Sequence, residues 1–143
     1  MPQVTFLQLG PRRKEPMVPS ASLRLVEGLG IEGDHHVKPR GSRQVLLMAE
    51  ENCDAFGLAP GEVRENIVTR GIENLQALPA GTRLEIGGAA LEITKDCEPC
   101  SFIDGLRPGL RQKMVGRRGM LARVARSGEI RVGDEIRVLP PNA

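Results

Sequence analysis

The run Asp96-Cys97-Glu98-Pro99-Cys100 concentrates the most reactive side chains of the sequence. A free thiol titrates at about 8.5, so at neutral pH it needs nearby Arg or Lys to become the thiolate that attacks sulfur or ligates a soft metal. Cations follow closely. Between Gly105 and Gly128 stand Arg107, Arg111, Lys113, Arg117, Arg118, Arg123 and Arg126 with no Asp or Glu, so this run carries +7 in a chain of net +2 and leaves −5 to the rest. Such segregation reads as a local anion site or, equally, as a solvated basic face. Arg117-Arg118-Gly119 is the best anion candidate within it. Two guanidiniums offer bidentate contact to an oxyanion, and the glycine permits close backbone approach.

Other chemistries compete for the same cysteines. A thioredoxin-like Cys-x-x-Cys opens a long helix in a βαβ unit, whereas here Gly105 and Pro108 limit any following helix to one or two turns. A structural zinc site needs two more ligands, and only His35, His36 and Cys53 are at hand. Cys53 is taken up by an apolar helix face, and adjacent histidines generally diverge. Buried structural cysteines are common, but Asp, Glu and Pro around this pair argue against a dry core. Gly33-Asp34-His35-His36 supplies an imidazole for proton transfer, with Asp34 as its orienting group; alone, such a pair in a glycine-rich loop is a surface feature. Arg64-Glu65-Asn66-Ile67 and Thr69-Arg70-Gly71-Ile72 read as a strand followed by a turn.

The elements that must position these groups are short strands. Val4–Leu9, Leu23–Val26 and Arg43–Met48 are apolar runs, the last predicted to be buried on both faces. Thr82–Ile86, Gly87-Gly88 and Ala89–Thr94 predict a hairpin, because a Gly-Gly pair supplies the positive φ of a tight primed turn. A second hairpin is predicted from Met120–Ala125 through Ser127-Gly128, with another turn at Gly133-Asp134 between Ile130–Val132 and Glu135–Val138. Helix signals cover Ala49–Phe56, stopped by Gly57, and Leu110–Val115, stopped by Gly116. No alternating βαβ pattern is visible, which argues against a parallel sheet. The expected fold is mainly β, an antiparallel barrel or sandwich with one or two short helices in loops. Residues 11–19, with three prolines and three cations, predict an exposed loop.

Composition narrows the function classes. The 143 residues suit one domain spanning 1–143, large enough to bury a core without staples. Three Phe and no Tyr or Trp leave a base-stacking nucleic-acid reader poorly supplied, so nucleic acid is not the expected partner. No apolar run reaches membrane-spanning length and Met1 opens a polar segment, so a reducing cytoplasmic location is expected.

Taken in order, the motifs resemble the MOSC family, the domain found at the C-terminus of molybdenum cofactor sulfurases. The likeness runs through Gly30 to His36, Arg43-Gln44-Val45, Pro60-Gly61, Glu65-Asn66-Ile67, Arg70-Gly71, Gly81 and Gly87. It continues through Leu91 to Thr94, Pro99-Cys100, Arg118-Gly119, Gly128 and Gly133-Asp134. It implies a β-barrel-like domain with an essential cysteine that either carries sulfur as a persulfide or ligates molybdenum. The corresponding activity is that of a molybdenum-cofactor-dependent oxidoreductase or a sulfur-transfer protein. By position the cysteine is Cys100, since the family's motif places Pro immediately before it, and Cys97 is auxiliary. The Asp-x-His element maps to Asp34 and His36. Asn66, Arg70 and Arg118, with Arg117 beside it, match positions that would face the cofactor. The implied cofactor is molybdopterin-bound molybdenum, and the implied partners are a cysteine desulfurase or a molybdoenzyme. Pyridoxal phosphate would enter only through a partner or a fused desulfurase domain. Two readings stay open beside this one: a non-catalytic polyanion-binding β module, and a dithiol redox protein using Cys97 and Cys100.

Overall fold

The computed structural model describes residues 1–141. Eleven strands and three short helices follow one another along the chain. They are β1 Gln3–Leu9, β2 Val18–Ser20, β3 Ser22–Val26, β4 Gly30–Ile31, β5 Val45–Ala49, α1 Glu50–Phe56 and β6 Ile67–Arg70. After a 3-10 turn at Leu75–Ala77 come β7 Arg83–Ile86, β8 Ala89–Asp96, α2 Ser101–Leu106, α3 Leu110–Lys113, β9 Met120–Arg126, β10 Gly128–Arg131 and β11 Ile136–Leu139. Eight strands form one curled sheet in the order β11-β7-β8-β9-β5-β6-β1-β2, and β10-β3-β4 form a second, smaller one.

The expected antiparallel barrel is corrected in two respects. First, β5 and β6 are parallel, with Leu47 opposite Ile67 and Ala49 opposite Thr69. A parallel pair needs a crossover of a dozen or more residues, and α1 with the following loop provides it. At seven residues, α1 is too short to announce a βαβ unit in the sequence. Second, the large sheet curls without closing by a ladder: among the described residues β1 meets the start of β11 through the bridge between Gln3 and Glu135 and the flanking backbone bonds of Pro2 and Val4 to Gly133, Asp134 and Ile136. The result is an open half-barrel. The small sheet covers its mouth, since Leu23, Leu25, Ile31 and Ile130 join Val4, Leu7, Leu47, Leu91 and Ile93 in the main core.

Strand β5 is buried along its whole length because three clusters share it. Val45, Leu47 and Ala49 point into the main core. Met48 meets Cys53, Val63, Val68, Ile103, Leu110 and Met114 in a second cluster, which holds the three helices against the outer face of the sheet. Leu46 packs with Leu121 and Cys97 in a third. The alternation along one strand thus turns Val45, Leu47 and Ala49 to the main core and puts both the helices and the site wall on the opposite face.

The turn signals fall where expected, but not all of their partners do. Gly87 and Gly88 close the β7–β8 hairpin, with Ile86 opposite Ala89. The predicted hairpin at Ser127-Gly128 is instead a corner: β9 pairs with β5 and β8, while β10 crosses to pair with β3. A Cβ on Gly128 would lie 2.6 Å from the Gly88 backbone, so this glycine lets the chain pass over the β7–β8 turn. Residues 11–16 are exposed, and the chain then enters β2, which pairs Val18 with Leu9 on β1. Gly57, at φ 65°, ends α1 as anticipated. The third helix, α2, follows Cys100 directly.

Candidate functional site

Strand β8 ends at Asp96, and the chain turns sharply between the two cysteines. The Cys97 N–H donates to the Gly119 carbonyl at 2.9 Å, and its side chain is buried against Leu46 and Leu121. Cys100, three residues on, is exposed at the head of α2. Burial raises the Cys97 thiol above its ordinary value, and the charges of Arg118 and Arg43 only partly oppose this.

Arg118 is the least expected member. It is 5% exposed, and one terminal nitrogen donates to the Val63 carbonyl at 2.6 Å. Its Nε and its other terminal nitrogen, Nη1, have no protein partner. A buried guanidinium with unused donors is costly unless something accepts from it. Gly119 makes this placement attainable. At φ 116°, its missing Cβ leaves room for the Leu47 carbonyl, and its N–H and carbonyl are both clasped by the Gln76 amide at 3.0 Å. Glu65 lies behind Arg118, fully buried, with one carboxylate oxygen accepting from Gly61 N–H at 2.8 Å and the other unpartnered. Burial raises its pKa; the Gly61 bond and the Arg118 charge only partly counter this.

Asp34 organises the opposite wall. Its carboxylate accepts from Gly10 N–H at 2.7 Å, Asn66 Nδ2 at 3.2 Å, His36 N–H at 3.0 Å and His36 Nδ1 at 2.8 Å. Burial works to raise its pKa, but the bonds from His36 and Gly10 outweigh this and hold it below the usual value. An acceptor at Nδ1 selects the Nδ1–H tautomer of His36 and leaves Nε2 as the basic nitrogen. Asn66, fully buried, is pinned between strands: Oδ1 accepts from Leu46 N–H at 3.0 Å, and Nδ2 also donates to the Gln8 carbonyl at 3.3 Å.

These groups border one cavity of about 170 Å³, lined by His36, Arg43, Leu46, Arg64, Asn66, Cys97, Glu98, Cys100, Arg118 and Leu121. Arg43 also borders two neighbouring depressions of about 350 and 470 Å³. A larger open depression of about 500 Å³ beside Asn74, Gln76 and Lys95 contains no thiol.

Of the residues singled out in the sequence, Cys100, His36, Asn66 and Arg118 line this cavity, and Asp34 reaches it through His36. Two do not line it. Arg70 binds Glu50 and Asp54 on α1, both at 2.7 Å, and so ties that helix to β6. Arg117 is exposed, with its guanidinium 5.9 Å from the Phe56 ring centroid. The basic run is similarly scattered: Arg107 caps the Gly57 carbonyl, and Arg123 and Arg126 pair with Glu92 and Glu85. In their place stand Arg43 and Arg64, which lie outside that run. Arg43 had a signal, since it belongs to the motif series. Arg64 had none. It sits at φ 65°, a left-handed conformation unusual for arginine, and stacks over Phe102 at 4.2 Å.

The histidine pair does not diverge as expected, because the ring centroids lie 3.8 Å apart with an interplanar angle of 39°. Asp34, His35 and His36 offer donor atoms all within 4.8 Å of one another, a candidate metal cluster among the described residues. Asp34 already serves four N–H donors and His35 Nδ1 contacts the Gly10 carbonyl at 2.8 Å, so free donor capacity is confined to the two Nε2 atoms. Together the cavity presents an outer thiol, an oriented imidazole and a buried cation with donors to spare. That is the equipment for holding an anionic group against a nucleophilic sulfur.

The chain resembles several solved structures in fold. The YuaD protein from Bacillus subtilis superposes with a TM-score of 0.82 at 24% identity, covering 96% of each chain. YiiM from Geobacillus stearothermophilus gives 0.76 at 17% identity, covering 97% of this chain and 75% of that one. YiiM from Escherichia coli gives 0.70 at 19%, covering 99% and 71%. None of the curated proteins matches significantly. No helix among the described residues is long and apolar enough to cross a membrane. The MOSC domain family model matches residues 32–137, and with the fold and motif order in agreement this chain belongs to the MOSC domain family.

Proposed function

We propose that the protein handles sulfur at Cys100, holding it as a persulfide beside the buried Arg118. The observation that carries this reading is the pairing of an exposed thiol with a buried guanidinium whose Nε and Nη1 lack partners in one cavity of about 170 Å³. A sulfane sulfur fits such a space. His36 Nε2 takes the thiol proton, and the Cys100 thiolate attacks the outer sulfur of a donor persulfide. The donor's S–S bond breaks, the donor leaves as a thiolate, and Cys100 carries the new S–S bond. Arg118 then faces the persulfide anion, with Arg43 and Arg64 adding positive potential. A cysteine desulfurase is the class of donor this chemistry needs.

The same residues fit a second ligand, the molybdenum cofactor. A soft thiolate suits molybdenum, and unused guanidinium donors suit phosphate or oxo oxygens. Arg43, bordering both the cavity and the wider depressions, favours this reading because those depressions have room for a pterin. Cys100 would ligate the metal, while Arg118, Arg43 and Arg64 would hold the anionic oxygens. When bound, the group supplies oxygen-atom or sulfur transfer chemistry. Asp34 orients His36 to hold a proton at Nε2 in either case.

The deciding experiment offers the folded protein a cysteine desulfurase with cysteine and measures intact mass. In parallel, protein from a cofactor-competent host is assayed for molybdenum and oxidised pterin. We expect a mass increase of one sulfur atom that is lost in Cys100→Ser, falls on the order of tenfold in Arg118→Met, and is unaffected in Arg70→Ala. Equal loading of Cys100→Ser, or neither sulfur nor molybdenum on the unmodified chain, would overturn the proposal.

A further inference from the structure

We propose that Cys97 is a resolving thiol, which attacks a persulfide held on Cys100, releases hydrosulfide and leaves a Cys97–Cys100 disulfide. The inference rests on the persulfide reading of Cys100 and adds a second chemical step to it.

Placement is the first argument. The two cysteines line one cavity from different depths. Cys100 is exposed and can meet a donor, while Cys97 is 8% exposed, walled by Leu46 and Leu121, and cannot. A two-residue spacer is the arrangement in which thiol and disulfide commonly interconvert. The Cys97 backbone is held by the Gly119 carbonyl at 2.9 Å, which fixes the inner thiol to the head of β9 rather than to the helix that follows Cys100.

The comparison with Cys53 is the second argument. Cys53 is a filler of the helix cluster, and burial, together with the charges of Glu65, Asp54 and Glu50, pushes its thiol up to about 12. Cys97 is buried too, and its thiol is likewise raised, but the two largest charge effects on it are those of Arg118 and Arg43, which favour the thiolate and outrank the opposing charges of Cys100 and Asp96. A cysteine that only packed the core would have no use for a cavity edge or for cationic neighbours.

The step balances. The Cys97 thiol gives its proton to the outer sulfur of the persulfide anion, the resulting Cys97 thiolate attacks Sγ of Cys100, the bond from Sγ to the outer sulfur breaks, and that sulfur departs with the electron pair as hydrosulfide. The persulfide is the two-electron oxidant, so no other is needed. The leaving anion departs beside Arg118, which lines the cavity and whose Nε and Nη1 carry no protein hydrogen bond. Two electrons and two protons from a low-potential dithiol reductant restore both thiols. Sulfur would therefore leave as free hydrosulfide inside a basic cavity rather than by direct exchange from Cys100 alone.

The test loads the full chain with inorganic polysulfide, removes the excess, and follows intact mass together with a hydrosulfide electrode. The unmodified protein should lose the added sulfur, release one hydrosulfide per chain, and end with a peptide linking Cys97 to Cys100. In Cys97→Ser and Cys97→Ala the added sulfur should persist on Cys100, with release slowed on the order of tenfold or more. Far-UV circular dichroism checks that each variant is folded, and two replacements of different polarity guard against a packing defect in one. Persulfide lifetimes equal to those of the variants would overturn the resolving role and leave the carrier reading standing. A disulfide formed without hydrosulfide release would also overturn it. Failure of all forms to take up sulfur would instead defeat the carrier reading.

Discussion

Replacing Asp34 with Asn tests whether the Asp34–His36 wall is built as the hydrogen bonds indicate. The carboxylate serves four N–H groups at 2.7 to 3.2 Å while only 4% exposed. An amide keeps the shape but turns one acceptor into a donor. Turned toward Gly10, its NH₂ opposes the Gly10 and Asn66 donors; turned the other way, it opposes the His36 N–H and ring. A tautomer shift of His36 rescues one bond in the second case. Each buried donor left unsatisfied costs about 1–3 kcal/mol, so the expected loss is about 2–4 kcal/mol. The pH dependence has a definite sign. Because the folded Asp34 pKa is lowered, its stabilisation is complete above the unfolded value of about 3.9 and is lost as pH falls through the folded one. The gap between the two proteins should be widest near neutrality and should close in acid. Urea unfolding by far-UV circular dichroism is the assay, since the chain has no Trp or Tyr for fluorescence. A neutral-pH gap below about 0.5 kcal/mol, or one that widens in acid, would refute the assignment. The rescue also protonates Nε2, so sulfur loading of Cys100 should slow in the same variant.

Three further outcomes follow from neighbouring groups. Gly119→Ala forces a side chain against the Leu47 carbonyl at φ 116° and should cost roughly 2–4 kcal/mol in urea unfolding, with loss of sulfur loading as Arg118 shifts. Glu65→Gln removes a carboxyl whose folded pKa is raised by burial, so wild-type stability from this group is fully present below the unfolded value of about 4.3 and declines as pH rises through the folded one. The variant should therefore gain on the wild type as pH rises, and stability curves that stay parallel across that range would contradict it. Alkylation with iodoacetamide under native conditions should label Cys100 alone at first, with Cys53, its thiol pushed up to about 12, labelled only on unfolding; peptide mass mapping reads the order.

Local features of the fold were legible because they rest on local physics. Gly87-Gly88 closes a hairpin with Gly87 at φ 55°, and Gly57 at φ 65° ends α1, both backbone conformations that glycine adopts without strain. Pairing between distant strands was not legible. Met120–Arg126 and Gly128–Arg131 look like the arms of a hairpin, yet they join different sheets, because each strand's partner is set by burial across the core rather than by the turn between them. The parallel β5–β6 pair was hidden likewise, since its crossover is mostly loop.

The site shows the same division. Pro99-Cys100 and the Asp34–His36 spacing are contiguous motifs and were readable. The densest basic run is a poor guide to the cations of the cavity, because charge density along a chain measures mainly how much of it faces water. Six of the seven cations between Gly105 and Gly128 are exposed or half-buried, and most answer to nearby carboxylates, carbonyls or a ring. Of that run, Arg123 has a single unpartnered nitrogen and pairs with Glu92, whereas Arg118 alone is buried as a residue, with two nitrogens unpartnered. Its companions Arg43 and Arg64 arrive from the segments flanking β5 and β6, where neither stands in a basic cluster. The parallel crossover that the sequence concealed is also what brings Arg64 to the cavity, so the missing strand pairing and the missing site residue have one cause.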